Sequence, residues 1–175
     1  MAYAYIRETV ASLAARHGTR DPYRLCGYCG AVVRQRPMGT GPTAIKGFCF
    51  VGSRIPVIEL NDDLEEPLRR IVLAHELGHA VLHAERLTEP LVDASLYDDS
   101  TRTELEANLF AAELLLPDDA VLGALETGAT FFEAAAALDV PPQLLDFKFR
   151  LLRDRGGFDM HSPVNVYADF LRRIR

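Results

Sequence analysis

Two histidines and a glutamate occupy one short stretch, His75-Glu76-Leu77-Gly78-His79, inside an otherwise apolar run. Residues four apart lie on one face of an α-helix with Cβ atoms about 5–6 Å apart, so two imidazoles at this spacing can share one metal ion. Glu76 points to the side of that ion and can reach a water bound to it. The pattern H-E-x-x-H therefore predicts a zinc centre with His75 and His79 as ligands and Glu76 as general base.

A third ligand must come from outside this motif, because a catalytic zinc usually has three protein ligands and one position open to water. His83 lies one turn beyond His79 but two turns, about 12 Å, from His75. We therefore expect His83 to support the ligands from behind. A longer zinc motif of the metzincin type requires glycine at 82 and histidine at 85. The chain has Leu82 and Glu85 there, which excludes that class.

The next helical pattern, which ends before a proline, offers carboxylates for the third position. Glu104 and Asn108 lie four apart, so the carboxylate could bind the metal while the amide braces a histidine from behind. Glu106 is the alternative ligand. Thr101-x-x-Glu104 and Thr103-x-x-Glu106 also match the capping box of a helix start. Spacing alone leaves the choice between the two glutamates open.

The elements that position these side chains begin with two strand-like runs, Ile45–Val51 and Ile55–Leu60, joined by the turn Gly52-Ser53-Arg54. Together with residues 31–36 they predict a small antiparallel sheet packed on the metal helix, and hence an α+β fold. Pro56 lacks an N–H, which favours a weak end or an edge position for the second run. An exposed edge could bind an extended peptide as an added strand.

The segment 19–44 is rich in proline and glycine and is predicted to be mostly loop. It contains the pair Cys26-x-x-Cys29, which could be half of a structural zinc site. Cys49 and His17 are the spare ligands, and they form no second pair. We expect reduced, partly buried thiols.

A pair of helices joined by a short turn is predicted over 131–138 and 142–152, in the manner of a helix-turn-helix. The second helix carries several basic residues, namely Lys148, Arg150, Arg153 and Arg155. A DNA-binding regulator acting through residues 131–155 is one alternative function. Asp139 stands where such a turn usually has glycine, and the chain is acidic, so we expect these helices to close the core.

Composition indicates one ordinary domain, with 175 residues and a net charge of −6. The acidic balance weakens any case for nucleic-acid binding. The chain has no apolar run long enough for a membrane span and no secretory signal, and its odd count of three cysteines favours a reducing cytoplasm. We predict a single domain over 1–155, built from 1–44, 45–117 and 118–155, followed by a tail, 156–175, with a possible last helix.

Three pieces in this order resemble the ImmA/IrrE family of zinc metallopeptidases. They are the strand Ile55–Leu60 with Asn61, the motif from His75 to His83, and the segment Glu104-Leu-Glu106-Ala-Asn108-Leu-Phe-Ala-Ala-Glu113-Leu-Leu-Leu-Pro117. The resemblance covers about residues 45–155. It implies a zincin-like fold, with Glu104 as the third zinc ligand and Glu76 as the catalytic base.

The resemblance also implies an activity: zinc-dependent cleavage of a specific protein, typically a helix-turn-helix repressor encoded nearby. Such a reaction needs a hydrogen-bond donor facing the developing oxyanion, for which Tyr97 and His161 are the candidates. The rival to a peptidase is a metallopeptidase-like module that binds without cutting, as an antirepressor or in a toxin–antitoxin pair. The intact Glu76 and the complete ligand set argue against that rival.

Overall fold

The computed structural model describes residues 2–41, 43–86, 91–93, 96–126 and 129–156. Within these residues the chain has the predicted α+β fold, and none of its helices is long and apolar enough to cross a membrane. A 3₁₀ turn, Ala84–Arg86, follows the third helix. The helices are α1 (Ala4–His17), α2 (Pro22–Tyr28), α3 (Glu66–Leu82), α4 (Arg102–Leu115), α5 (Asp118–Glu126), α6 (Phe131–Ala137) and α7 (Pro142–Arg155), and the strands are β1 (Val32–Arg36), β2 (Gly47–Gly52), β3 (Ile55–Asn61) and β4 (Leu91–Asp93).

The sheet contains the four strands in the order β1-β3-β2-β4. β2 and β3 form the predicted antiparallel hairpin. Its two-residue turn places Ser53 at φ 53° and Arg54 at φ 70°. Two consecutive positive φ values give a turn whose twist matches that of the flanking strands. β4 then pairs antiparallel with the outer side of β2.

The sheet is mixed, so the expectation of a wholly antiparallel sheet was wrong for β1. β1 pairs parallel with β3, from Val32 opposite Val57 to Arg36 opposite Asn61. Parallel pairing arises because β3, and not the next strand along the chain, is the neighbour of β1. The Asn61 side chain holds the connecting segment, since its amide donates to the carbonyls of Gly39 and Ile45 at 2.7 and 2.9 Å.

Pro56 occupies a weak end of β3 and not an edge strand, because β3 lies between β1 and β2. Pro56 is opposite Val51 of β2, while the pairing with β1 begins one residue later at Val57. The missing N–H of proline therefore falls outside the parallel ladder. The edges of the sheet are β1 and β4, which changes where an added peptide strand could pair.

α3 forms the centre of the core, with its residues Ile71–Ala80 all buried. One side of the helix faces β2, where a Cβ built on Gly47 would lie 2.7 Å from Val72 Cγ1. The other side faces α4, where a Cβ built on Gly78 would lie 3.2 Å from both Ala107 Cα and Phe110 Cβ. Gly78, which is unfavourable inside a helix, thus lets α4 come close.

The N-terminal region is more helical than the sequence suggested. α1 ends as its pattern indicates, with Gly18 in the left-handed conformation at φ 63°. The segment after it, expected to be loop, contains α2. The Asp21 side chain accepts a hydrogen bond from Tyr23 N, and Pro22 stands in the first turn. The dipeptide Asp21-Pro22 is a helix-start signal that the loop interpretation overlooked.

The three cysteines are free thiols, with Cys26 and Cys49 buried and Cys29 partly buried. Burial raises the pKa of Cys26 and of Cys49 to about 12. Such thiols are protonated and unreactive at neutral pH. The pair Cys26-x-x-Cys29 is thus part of the packing of α2.

α6 and α7 form the predicted helix pair, and α7 closes the core. Lys148 is fully buried and forms ion pairs with Glu113 at 2.6 Å and Asp118 at 2.5 Å. Arg150 pairs with Asp99 at 2.9 Å. Lys148 is thus enclosed in the protein and Arg150 is partly buried in its ion pair, while Arg153 and Arg155 of α7 are exposed. The last helix predicted in the tail lies outside the described residues.

The close approach at Gly78 gives a testable prediction. Gly78→Ala should lower the free energy of unfolding by about 1 kcal/mol, because overpacking against the α4 backbone and Phe110 costs about 1–3 kcal/mol and exceeds the helix-propensity gain of about 1 kcal/mol. Urea denaturation measures the change.

Gly123 provides the matched control, since it lies within α5 and a Cβ there would meet nothing within 4 Å. Gly123→Ala should raise the stability by about 0.5–1 kcal/mol. Equal stabilisation by both substitutions would contradict close packing at Gly78.

Candidate metal centre

Three side chains from two helices converge at one point. The ligand atoms of His75, His79 and Glu104 lie within 4.8 Å of one another. The two Nε2 atoms are 3.1 Å apart, and the Glu104 oxygens lie 3.2 Å from His75 Nε2 and 3.4 Å from His79 Nε2. Ligand atoms of a tetrahedral zinc site, with bonds of about 2.0–2.1 Å, are separated by about 3.3 Å. The three side chains therefore fit a single ion of this kind.

The structure separates the roles of the two candidate glutamates. Thr101 Oγ1 accepts a hydrogen bond from Glu104 N at 3.2 Å and so caps α4. The Glu104 side chain does not complete the capping box and instead turns toward the histidine pair. Glu106 lies against His83 at 2.9 Å, away from the ion site. Of the two glutamates, Glu104 is therefore the candidate that faces the histidine pair.

Burial makes this cluster unfavourable without a cation. His75 and His79 are each 1% exposed. Burial lowers the pKa of His79, so its imidazole is neutral at pH 7. Among the described residues Glu104 Oε2 is buried without a hydrogen-bond partner. A buried acceptor directed at two imidazoles fits a bound cation.

Asn108 fixes the orientation of His75. The Asn108 amide nitrogen donates to the carbonyl of Asp98 at 2.7 Å, so its oxygen faces His75 Nδ1 at 3.0 Å. The imidazole must then donate its Nδ1–H to Asn108. A neutral imidazole carries one N–H, which leaves the Nε2 lone pair pointing into the cluster. This is the bracing arrangement that the spacing of Glu104 and Asn108 suggested.

His83 contacts His79 and not the ion site. α3 ends at Leu82, and His83 follows as its C-cap with φ −127°. This departure from the helix places His83 Nδ1 3.2 Å from His79 Nδ1. Behind it lies Glu106, a contact that the sequence reasoning missed because it read Glu106 only as a ligand or a cap. Burial opposes ionisation of Glu106, but hydrogen bonds from His83 and Arg102 prevail and lower its pKa to about 2.

Glu76 is buried on α3, with 2% of its surface exposed. Burial raises the pKa of Cys49 on β2, and the charge of Glu76 raises it further. Of the two candidate oxyanion donors, Tyr97 stacks on Phe147 with ring centres 6.4 Å apart. Burial raises the pKa of Tyr97, and among the described residues its hydroxyl is buried without a hydrogen-bond partner. His161 lies outside the described residues.

A buried site with two histidines from one helical turn and a glutamate from the next helix, beside the glutamate of H-E-x-x-H, defines the metallopeptidase class. Comparison with known proteins leads to the particular family. Residues 26–150 match the family model described as the IrrE N-terminal-like domain, a peptidase family. The chain belongs to this family, which implies a divalent metal, and the cluster of His75, His79 and Glu104 is a candidate site for it.

Two curated relatives cover most of the chain. An "uncharacterized immunity region protein 2" of Bacillus phage phi105 is 34% identical over 146 residues, which are 83% of this chain and 90% of the relative. "Metallopeptidase ImmA" of Bacillus subtilis (strain 168) is 30% identical over 147 residues, which are 82% of this chain and 83% of the relative. The similarity thus extends over most of the length of both relatives.

Metal binding by the cluster should be visible as thermal stabilisation. Zn²⁺ at about 1,000 times its Kd should add about 4 kcal/mol to the stability of the folded protein, or about 10 °C in Tm for a domain of this size. Glu104→Ala should remove most of this shift, because it deletes one of three ligands. Differential scanning calorimetry with and without a chelator measures it.

Glu85→Ala is the control, since Glu85 is an exposed carboxylate just beyond α3. It should retain the full shift. A Glu104→Ala protein stabilised by Zn²⁺ as strongly as the unaltered chain would show that the metal binds elsewhere.

Proposed function

We propose that this chain is a zinc-dependent endopeptidase that cleaves one specific protein. The observation that carries the proposal is the convergence of His75, His79 and Glu104 on one point, within a chain whose motif also supplies Glu76. Two neutral nitrogens and a carboxylate oxygen form the ligand set of a catalytic zinc. Three protein ligands leave room for water and for a substrate carbonyl, as a hydrolase requires.

The side chains divide the work of hydrolysis. A bound zinc supplies Lewis acidity, lowering the pKa of a coordinated water to about 7 and polarising the scissile carbonyl. Glu76 accepts the proton of the attacking water and then delivers it to the amine nitrogen that leaves. Asn108 and His83 keep the two imidazoles aimed while this happens. Burial of Glu76 strengthens its electrostatic interactions and limits competing water.

The substrate we propose is a helix-turn-helix transcriptional repressor encoded nearby. One relative is named as an immunity-region protein and another as metallopeptidase ImmA. Extended substrate segments bind well to free strand edges. Of the two edges, β4 suits this role, because Leu91 is paired with Cys49 and Cys49 lies close enough to Glu76 to be affected by its charge. We therefore expect a substrate strand to pair with β4 and not with β3, which lies inside the sheet.

The two alternative functions have less support. A DNA reader needs free basic side chains on α7, whereas Lys148 is fully buried and Arg150 is held in an ion pair, which leaves Arg153 and Arg155 exposed. The net charge of −6 also opposes binding to phosphate. A module that only binds its partner gains nothing from Glu76, since a carboxylate with 2% exposure is unfavourable to bury without a task. We therefore favour cleavage in a cytoplasmic setting, where the free thiols stay reduced.

Glu76→Gln tests the proposed chemistry. The amide cannot accept the water proton, so the cleavage rate should fall by about 10²–10⁴-fold while zinc binding is retained. The assay incubates zinc-loaded protein with the repressors encoded by neighbouring genes, and mass spectrometry maps each new terminus.

Glu66→Gln is the matched control, because Glu66 is an exposed glutamate in the first turn of the same helix. It should cleave at the unaltered rate. Undiminished cleavage by Glu76→Gln would rule out Glu76 as the base. Tight binding of a repressor without any cleavage by the unaltered protein would favour the non-cleaving module.

A further inference from the structure

A continuous line of hydrogen bonds leads away from the metal cluster toward the protein surface. His79 Nδ1 lies 3.2 Å from His83 Nδ1, and His83 Nε2 lies 2.9 Å from Glu106 Oε2. His83 and Glu106 are buried, with 5% and 7% exposure. Neither residue contributes a ligand atom to the cluster of His75, His79 and Glu104. His83 and Glu106 therefore form a chain of two buried polar side chains behind the proposed ligand His79.

The carboxylate of Glu106 lies at the outer end of this line and helps to determine which atom donates in each hydrogen bond. An ionised carboxylate only accepts hydrogen bonds, so His83 Nε2 must donate to Glu106. His79 faces the metal cluster with Nε2, so a metal-binding His79 carries its proton on Nδ1, and His83 Nδ1 is then an acceptor. The atom facing it, His79 Nδ1, must be the donor. His79 Nε2 is left with its lone pair, directed at the same point as the lone pair of His75.

Glu106 is itself held in place from two sides. Arg102, one turn earlier on α4, donates its Nε–H to the other carboxylate oxygen. The Tyr5 side chain of α1 is also hydrogen-bonded to Glu106, which contributes to raising the pKa of Tyr5, although burial is the larger cause. α1 lies outside the family-matched segment 26–150, so this clamp comes from the N-terminal part of this chain. An acceptor fixed by three donors has little freedom to turn away.

We propose that Glu106 and His83 are positioning residues that fix the tautomer of His79 and thereby set the affinity of the metal centre. We call the line of His79, His83 and Glu106 the relay. Tyr5 and Arg102 hold Glu106, which is the outer end of the relay. The inference rests on the metal centre put forward under the proposed function, and it assigns to Glu106 a role distinct from that of Glu104. The relay acts on His79, as Asn108 acts on His75 from the opposite side.

The proton positions can be observed directly in the zinc-loaded protein. ¹⁵N–¹H correlation spectra of histidine-labelled protein distinguish a protonated from an unprotonated ring nitrogen. The relay predicts that His83 carries its proton on Nε2 and His79 carries its proton on Nδ1. A proton on His83 Nδ1 would overturn the proposal, because that tautomer cannot accept from His79.

Zinc affinity, measured by competition with a chromogenic chelator, provides the second readout. Removing a partner that orients a metal-bound histidine typically weakens binding about 10- to 100-fold. His83→Phe and Glu106→Leu should show this loss, since neither side chain offers an acceptor. His83→Gln and Glu106→Gln each retain an oxygen that can accept, and they should bind zinc within a few-fold of the unaltered chain.

His17→Phe is the matched control, because His17 stacks on Tyr28 far from this line. It should leave zinc affinity unchanged. If His83→Phe or Glu106→Leu does not fold, the glutamine variants and the spectrum of the unaltered protein still decide the matter. If Glu106→Leu and His83→Phe bind zinc as tightly as the unaltered chain, the relay is wrong, but the proposed metal centre is not affected. Failure of the unaltered chain to bind zinc would instead overturn the metal centre itself.

Discussion

Two of the three proposed metal ligands lie on α3 and the third lies on α4, so the candidate site depends on how closely these helices approach. Gly78 separates the two histidine positions, and opposite it lies Ala107, next to Asn108. The missing Cβ of Gly78 lets the backbone of α4 come to within 3.2 Å of the position that a side chain would fill. Ligand atoms must be held to about 0.5 Å for a productive site. A Cβ at position 78 would require its neighbours on α4 to shift by a few tenths of an ångström, which is of the same order as this tolerance.

Distance alone does not make a ligand, because each imidazole must also present a lone pair. The carbonyl of Asp98 orients Asn108, which orients His75. The neighbouring Asp99 is tied to Arg150 of α7. The C-terminal helix pair, which resembles a DNA-binding motif in sequence, thus anchors the loop that aims a ligand. The closing helices and the metal centre are parts of one arrangement.

Local signals in the sequence predicted the elements that carry the chemistry. Apolar periodicity and the spacing of His75 and His79 identify α3, and Thr101 and the proline at 117 mark the ends of α4. The positions of Glu104 and Glu106 could not be told apart in this way, because both match a cap and the choice depends on how α4 rotates against α3. Only the packing of Gly78 against α4 settles that rotation.

Most of the features that sequence reasoning missed depend on contacts distant along the chain. β1 pairs parallel with β3, and no residue within β1 indicates which strand its partner will be. Lys148 reads as a surface cation until Glu113 and Asp118 are brought around it. The signal for α2, in contrast, was present in Asp21-Pro22. Long-range placement, more than local conformation, limited the prediction.

The most direct test of the account is to locate the metal. A crystal of the zinc-loaded protein, measured at the zinc absorption edge, gives an anomalous difference peak at the ion. The account predicts one strong peak about 2.0–2.2 Å from His75 Nε2, His79 Nε2 and a Glu104 oxygen. A peak coordinated by Glu106 or by the cysteines, or a histidine pair that binds no zinc at all, would contradict it.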